Sequence, residues 1–252
     1  MHALIPVKGL DLAKSRLQHV LTGSERRALA SCLLDDTLAT LSAIPWIQRV
    51  LVVTSNEEVA RRAEHAGAVA VAEPPFEPDP SNPHGPLNAA LEAGRHWAMN
   101  DGASALTSVP ADLPLLPALD SEGLRRDLDR AGQGDATADR PFVGLHTDDQ
   151  HDGTNLLIQR PSNAIPFRYG IGSFRRHREE ALQRGARVIE LNDPVFRWDL
   201  DHPEAPAEWA VILRRDDATR ALYHQARERG TALRFLERTD WGAPLRHPSA
   251  SA

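Results

Sequence analysis

The chain has 252 residues, of which 41% are hydrophobic and 25% are charged, so a packed core is expected through most of its length. Its net charge of −6 gives no electrostatic reason to expect nucleic-acid binding, and no apolar run approaches the roughly 20 residues that span a bilayer. The single cysteine, Cys32, excludes a disulfide within the chain and a thiolate zinc site, and we interpret it as a small buried apolar residue. With an N-terminus unlike a signal peptide, these features favour a cytoplasmic protein.

The predicted elements of the first 110 residues alternate between short apolar strands and helices. Strands are predicted at 3–7, 49–54, 69–72 and 105–109. Helices are predicted from a capping box at 22–25 to about 41, at 57–66 and at 87–99. Segment 73–86 holds six prolines in fourteen residues, so no regular element is expected there.

The second half continues the pattern after a polar segment, 132–140, that is typical of a surface loop. Further strands are predicted at 141–144, 154–159 and 187–191, and helices at 173–184 and from 203 onward. The alternation indicates an α/β fold with a mostly parallel central sheet and helices on both faces. We expect residues 1–243 to form one domain and residues 244–252 a disordered tail.

Ligands of such sheets bind beyond the carboxyl ends of the strands, and this rule selects the loop after the first strand. The loop carries Lys8, Lys14 and Arg16, cations of the kind that a triphosphate needs. It is not a Walker A motif, because the second glycine is missing and the lysine comes one position early. Taken alone, the loop is equally well interpreted as a solvated basic turn.

Acidic residues follow two other segments. Asp112 comes directly after the strand predicted at 105–109, where a carboxylate can hold Mg²⁺ near bound phosphates, although a lone aspartate is more often a turn or cap residue. Asp199 and Asp201 lie two apart and point the same way on an extended segment. Because Asp201 is well placed to cap the helix expected near 203, Asp199 is the better candidate metal ligand.

Two polar segments complete the candidate site, residues 152–155 and residues 167–174. The second segment places two glycines and Ser173 before a basic helix, an arrangement that can bind phosphate or carboxylate. An ordinary glycine-rich turn with Ser173 as the N-cap explains the same pattern. Histidines 84, 146 and 151 are expected in solvated loops.

These blocks, in this order, resemble the CofC/FbiD guanylyltransferases of coenzyme F420 biosynthesis. The similar blocks are IPVK at 5–8, KSRL at 14–17, LNAA at 87–90, ADLP at 111–114, DGTN at 152–155, FRYG at 167–170 with Ser173, and DLD at 199–201. The resemblance implies a Rossmann-like nucleotidyltransferase fold related to the molybdenum-cofactor guanylyltransferases. It also implies GTP as the donor, Mg²⁺ as the cofactor and pyrophosphate as the leaving group.

The resemblance also implies a role for individual residues, with catalysis assigned to Asp112, Asp199 and Lys14. Metal binding falls to Asp112 and Asp199, GTP binding to Lys8, Lys14, Arg16 and Asn88, and binding of the phospho-acid to Thr154, Gly170 and Ser173. The implied acceptor is 2-phospho-L-lactate, phosphoenolpyruvate or 3-phospho-D-glycerate.

Two other hypotheses stay open on sequence alone. The first is a nucleotidyltransferase of the same fold that acts on a molybdopterin or a sugar phosphate. The second is a nucleotide-binding module without catalysis, against which two acidic positions argue because a pure binding module has little use for them. Neither nucleic acid nor a membrane is an expected partner, and the oligomeric state is left open.

Overall fold

The computed structural model of the protein describes residues 1–10, 17–19, 21–76, 81–133, 140–200 and 216–238. Its seven strands are β1 (His2–Pro6), β2 (Arg49–Thr54), β3 (Val69–Ala72), β4 (Leu106–Ser108), β5 (Phe142–Thr147), β6 (Thr154–Arg160) and β7 (Arg187–Glu190). The described α-helices are α1 (Gly23–Ser42), α2 (Glu57–His65), α3 (Gly85–Asn100), α4 (Ser121–Gln133), α5 (Ser173–Gln183), α6 (Asp217–Arg229) and α7 (Ala232–Arg238). Short 3-10 helices occupy Leu116–Ala118 and Pro194–Phe196.

The strands form one sheet in the order β3-β2-β1-β4-β6-β5-β7. Strand β6 pairs antiparallel with both β4 and β5, whereas the other pairs of neighbours are parallel. Six strands therefore end at one edge of the sheet, and β6 begins at that same edge. The expected α/β fold with a mostly parallel sheet is confirmed, and the reversal of β6 brings residues from the start of a strand to the edge where ligands bind.

Both faces of the sheet are covered, as the unbroken apolar runs of its central strands predict. In β1, Ala3 and Ile5 belong to a core cluster that includes side chains of α1, while Leu4 belongs to a second cluster that includes side chains of α3. Side chains alternate in the same way along β2, where Val52 faces the first cluster and Val53 the second. The expected arrangement of helices on both faces is confirmed.

The capping box predicted at the start of α1 is present. The side chain of Thr22 accepts from the backbone N–H of Glu25 at 3.3 Å, and the carboxylate of Glu25 accepts from the backbone N–H of Thr22 at 2.7 Å. Further along this helix, Cys32 is only partly buried, but it does pack against the first core cluster. Burial raises the pKa of its thiol, which therefore stays protonated at neutral pH.

Several boundaries differ from the sequence-based expectations. Helix α3 begins at Gly85, inside the segment expected to hold no regular element, because Pro86 falls in the first turn, where a missing N–H costs nothing. Helix α4 was not predicted, and it extends to Gln133, into the segment expected to be a loop. Helices α6 and α7 lie in the C-terminal region that was expected to be helical.

Residues 201–215 and the predicted tail, 244–252, lie outside the described residues, as does the proposed cap residue Asp201. Among the described helices, none is long and apolar enough to cross a membrane.

Candidate active site

A cavity of about 650 Å³ opens at the edge of the sheet where six strands end and β6 begins. Six of the residues singled out from the sequence line it, and they come from segments far apart in the chain: Lys8, Asp112, Thr154, Gly170, Ser173 and Asp199. The predicted convergence of these segments at one edge is therefore observed. Lys14 and Arg16 fall outside the described residues.

The two predicted metal ligands lie on neighbouring segments. Asp112 follows β4, and Asp199 follows the 3-10 helix Pro194–Phe196. The backbone N–H of Leu200 donates to the backbone carbonyl of Asp112 at 3.1 Å, which holds the two acidic residues side by side at the cavity.

Asn155 connects Asp199 to the sheet. This buried residue is the second residue of β6, and its amide nitrogen donates to the backbone carbonyl of Phe196 at 2.9 Å and to the carboxylate of Asp199 at 3.4 Å. Sequence reasoning singled out the segment that contains Asn155 but did not identify this contact, because the partner lies 44 residues away.

Among the described residues that line the cavity, carboxylates dominate the charge. Asp112, Asp148, Asp152 and Asp199 line it, and Lys8 is the only lysine or arginine among the described lining residues. In the described ranges, no group of three or more His, Cys, Asp or Glu side chains is arranged to hold a metal ion. The described residues thus bring a pair of neighbouring carboxylates, Asp112 and Asp199, to the cavity.

Hydroxyl groups form another wall of the cavity, and a buried imidazole lies behind them. The hydroxyl oxygen of Thr154 lies 3.1 Å from that of Ser173 and 3.0 Å from Nδ1 of His177. Burial, together with the positive charges of three nearby arginines, lowers the pKa of His177 to about 3, so its imidazole is neutral at neutral pH. The sequence predicted position 177 only as part of a basic helix, because burial at that position cannot be predicted from a single sequence.

The start of α5 differs from the interpretation in which Ser173 is the N-cap. The cap residue is Gly172, which has a left-handed backbone with φ of 68° and makes no side-chain cap bond, and Ser173 is the first residue of the helix. Its side chain is 1% exposed and faces Thr154. Because the hydroxyl does not cap the helix, it is available to the cavity.

Two loops are joined at the mouth of the cavity. The carboxylate of Asp148 accepts from the backbone N–H groups of Asp152 and Gly153 at 2.9 and 2.8 Å. The carboxylate of Asp152 in turn accepts from the backbone N–H of Gly172 at 2.9 Å. These bonds hold the loop before β6 against the loop before α5.

Both the backbone conformation at position 170 and the atoms around it require a glycine. Gly170 has a φ of 120°, which side chains rarely tolerate, and a Cβ at this position would lie 2.5 Å from Cδ2 of His84. His84 thus closes one side of the cavity against Gly170. Sequence reasoning assigned no such role to His84.

Asn88, which the resemblance implies for GTP binding, does not line the cavity. Its side-chain amide accepts from the backbone N–H of Tyr169 at 2.8 Å and donates to the backbone carbonyl of Tyr169 at 3.2 Å. Tyr169 is itself partly buried, its hydroxyl donates to Ser108 at 3.0 Å, and burial raises the pKa of that hydroxyl. Asn88 therefore fixes the segment that carries Gly170, and its role in nucleoside binding stays a prediction.

The expectation of solvated loops for three histidines is wrong for His146. This residue lies in β5 and is 2% exposed, and its Nδ1 lies 2.6 Å from the carbonyl oxygen of Thr147. The sequence of a short apolar stretch does not show which face of the strand packs against other elements. The burial of its one histidine could therefore not be predicted. His151 is exposed in a turn, as expected.

Comparisons with known proteins show the family of this chain. Residues 1–212 match the family described as Guanylyl transferase CofC like. The chain is 40% identical to the phosphoenolpyruvate guanylyltransferase of Rubrobacter xylanophilus over 80% of this chain and 89% of that protein. It is 33% identical to phosphoenolpyruvate guanylyltransferase 1 of Rhodococcus jostii over 95% of each.

The fold is also found among solved structures. The crystal structure of a candidate nucleotide-diphospho-sugar transferase from Desulfovibrio desulfuricans matches 93% of this chain and 98% of its own, with a TM-score of 0.60 and 14% identity, a likeness of fold alone. The family match and the two relatives decide the assignment: the chain is an enzyme of the CofC-like guanylyl transferase family.

Proposed function

We propose that this guanylyltransferase uses phosphoenolpyruvate as its acceptor and Mg²⁺ as its cofactor. The observation that carries the acceptor is the relationship to two phosphoenolpyruvate guanylyltransferases, one of which is covered over 95% of its length. The reaction joins GMP from GTP to the phosphate of the acid, as the resemblance to the enzymes of coenzyme F420 biosynthesis implies.

The charge of the cavity supports a bound cation. A triphosphate and a phospho-acid are both anionic, and the carboxylates that line the cavity would repel them without a neutralising ion. Mg²⁺ typically binds one or two carboxylates together with substrate phosphates and several waters, so it does not need a protein cage. The neighbouring carboxylates of Asp112 and Asp199 fit this requirement.

The mechanism needs positioning more than acid–base chemistry. An acceptor phosphate oxygen, already ionised at neutral pH, forms a bond to the α-phosphorus of GTP, and the bond from that phosphorus to the bridging oxygen breaks. Pyrophosphate leaves with the electron pair. Asp112 and Asp199 would hold Mg²⁺, which would supply neutralisation of the charge on the phosphates.

The remaining residues bind and orient the two substrates. In this proposal Lys8, Lys14 and Arg16 contact the triphosphate and Asn88 lies near the nucleoside. Thr154, Gly170 and Ser173 hold the phospho-acid, which converts an encounter between two polyanions into a reaction between two bound groups.

The test is a competition between acceptors. The purified enzyme receives GTP, Mg²⁺ and equal concentrations of phosphoenolpyruvate, 2-phospho-L-lactate and 3-phospho-D-glycerate, and the guanylylated products are separated by mass. We expect the phosphoenolpyruvate adduct to form fastest, with release of pyrophosphate. Faster formation of either other adduct would assign the acceptor differently and leave guanylyl transfer intact.

A further inference from the structure

His177, Thr154 and Ser173 form a chain of hydrogen bonds that begins at the backbone. The N–H of Arg168 donates to Nε2 of His177 at 2.8 Å, Nδ1 of the same ring lies 3.0 Å from the hydroxyl of Thr154, and that hydroxyl lies 3.1 Å from the hydroxyl of Ser173. The three side chains are 0%, 5% and 1% exposed, so bulk water does not compete for these contacts.

The backbone contact decides the direction of the chain. A backbone N–H can only donate, so Nε2 of His177 must be the acceptor. A neutral imidazole then carries its proton on Nδ1, and His177 donates to Thr154. The pKa of about 3 supports this state, because a protonated ring would place an N–H at Nε2 against the N–H of Arg168.

The hydrogens on the three side chains can be counted against the contacts between them. His177, Thr154 and Ser173 together bring three hydrogens to two internal contacts, so one hydroxyl hydrogen remains for the cavity that Thr154 and Ser173 line. If Nδ1 accepted instead, the two hydroxyl hydrogens would both be used internally and none would remain. The polarity that the backbone N–H of Arg168 dictates therefore presents a donor to the cavity.

We propose that His177 is a positioning residue for the acceptor, which turns the pair of Thr154 and Ser173 into an outward hydrogen-bond donor for a phosphate or carboxylate oxygen. The inference rests on the proposed function, in which these two hydroxyls hold the phospho-acid. His177 acts through Thr154 and does not itself line the cavity. The arrangement favours a ligand oxygen that accepts a hydrogen bond and disfavours a cation at this position.

Two substitutions separate this role from a purely structural one. In His177→Asn the amide nitrogen falls near the position of Nδ1 and retains a donor to Thr154, but the acceptor for Arg168 is lost. In His177→Gln the amide oxygen falls near the position of Nε2 and retains that acceptor, but Thr154 loses its donor. If His177 only held the backbone at Arg168, His177→Gln would have a lower KM for the acceptor than His177→Asn.

The measurement is the KM for phosphoenolpyruvate and for GTP in each variant, with a thermal melt of each protein. We expect the KM for phosphoenolpyruvate to rise about tenfold in His177→Gln and clearly less in His177→Asn, with the KM for GTP changed little in both. Glu179→Gln, an exposed position on the same helix, is the control and should change neither constant. An acceptor KM in His177→Gln that equals that of the wild type, or that lies below that of His177→Asn, overturns the proposal.

If either His177 variant fails to fold, the same chain is tested at Thr154. Thr154→Val removes the hydroxyl with little change in shape and should raise the acceptor KM, while Thr154→Ser retains the hydroxyl and should raise it less. Equal acceptor KM values in these two variants would likewise overturn the proposal. A wild-type enzyme inactive with all three phospho-acids would instead contradict the proposed acceptor class.

Discussion

At the scale of one residue, Thr154 belongs both to the sheet and to the wall of the cavity. Its backbone begins β6, and its hydroxyl contacts both Ser173 and His177. The sequence predicted Thr154 from a four-residue block, and the structure places it on the cavity wall. The neighbouring Asn155 came from the same block, but only the structure reveals that it contacts Asp199.

Asp112 gives the most direct test of the proposed metal site. In Asp112→Asn one carboxylate charge is lost while the shape of the side chain is retained, so we expect a folded protein whose guanylyl transfer falls roughly 10²–10³-fold because charge on the phosphates is no longer neutralised. Pyrophosphate release at saturating GTP and Mg²⁺ measures the loss.

The control for this substitution is Asp129→Asn, which removes a carboxylate from an exposed position on α4 and should leave turnover as it is. Near-normal turnover in Asp112→Asn would remove Asp112 as a metal ligand. Circular dichroism spectra of both variants establish that the fold is retained.

At the scale of elements, the reversed strand β6 and the beginning of α5 build the side of the cavity that we propose for the acceptor. An antiparallel β6 brings Thr154 to the edge where β4 ends, and the glycines before α5 let its first turn approach that edge. The sequence predicted a strand and a helix at these places. It did not predict the direction of β6, because an apolar strand that is covered on both faces has the same pattern in either direction.

Gly170 tests whether this approach depends on backbone freedom. In Gly170→Ala a side chain must adopt a φ of 120° and displace His84, which lies 2.5 Å from the new Cβ. Strain of this kind costs about 1–3 kcal/mol, and we expect it to shift the segment that holds the acceptor and to raise the acceptor KM about tenfold or more. Initial rates at varied phosphoenolpyruvate give the result.

Gly67→Ala is the matched control, because Gly67 also has a positive φ, of 78°, but no atom lies within 4 Å of the added Cβ. We expect it to lower stability slightly and to leave both KM values as they are. An unchanged acceptor KM in Gly170→Ala would show that the loop accommodates the side chain, and a recovery in the double variant with His84→Ala would assign the effect to the close contact rather than to φ.

At the scale of the whole molecule, Asp36 on α1 joins the N-terminal part of the chain to its C-terminal part. It is 7% exposed, and its carboxylate accepts from the backbone N–H groups of Thr231 and Ala232, at 2.7–2.8 Å, and from the Thr231 hydroxyl at 2.8 Å. The helix α7 thus begins on a carboxylate that lies 195 residues earlier. No pattern in the sequence predicts a contact between residues so far apart in the chain.

Asp36→Ala is therefore expected to destabilise the protein by about 2–4 kcal/mol, because it leaves two helix N–H groups without their acceptor in a partly buried place. The free energy of unfolding from denaturant titration measures this. The neighbouring Asp35 forms a more exposed ion pair with Arg62 at 2.7 Å, so Asp35→Ala should cost no more than about 1 kcal/mol. Equal losses in the two variants would contradict a special role for Asp36.

The sequence by itself determined the fold class and the family, and it singled out six of the residues that line the cavity. Apolar runs such as 49–54 predict buried strands whatever surrounds them, and the order of short polar blocks points to one edge of a parallel sheet. These properties are local, because they depend on the residue types in a stretch and on their spacing.

The tertiary structure alone decided which atoms of those residues contact one another. The direction of β6, the donor that His177 offers to Thr154 and the contact between Asn155 and Asp199 join segments that lie 23 to 53 residues apart. Such contacts depend on how the elements pack, and burial is what turns a histidine in a basic helix into a neutral donor. That is why the segments that meet at the cavity could be predicted while the hydrogen-bond polarity there could not.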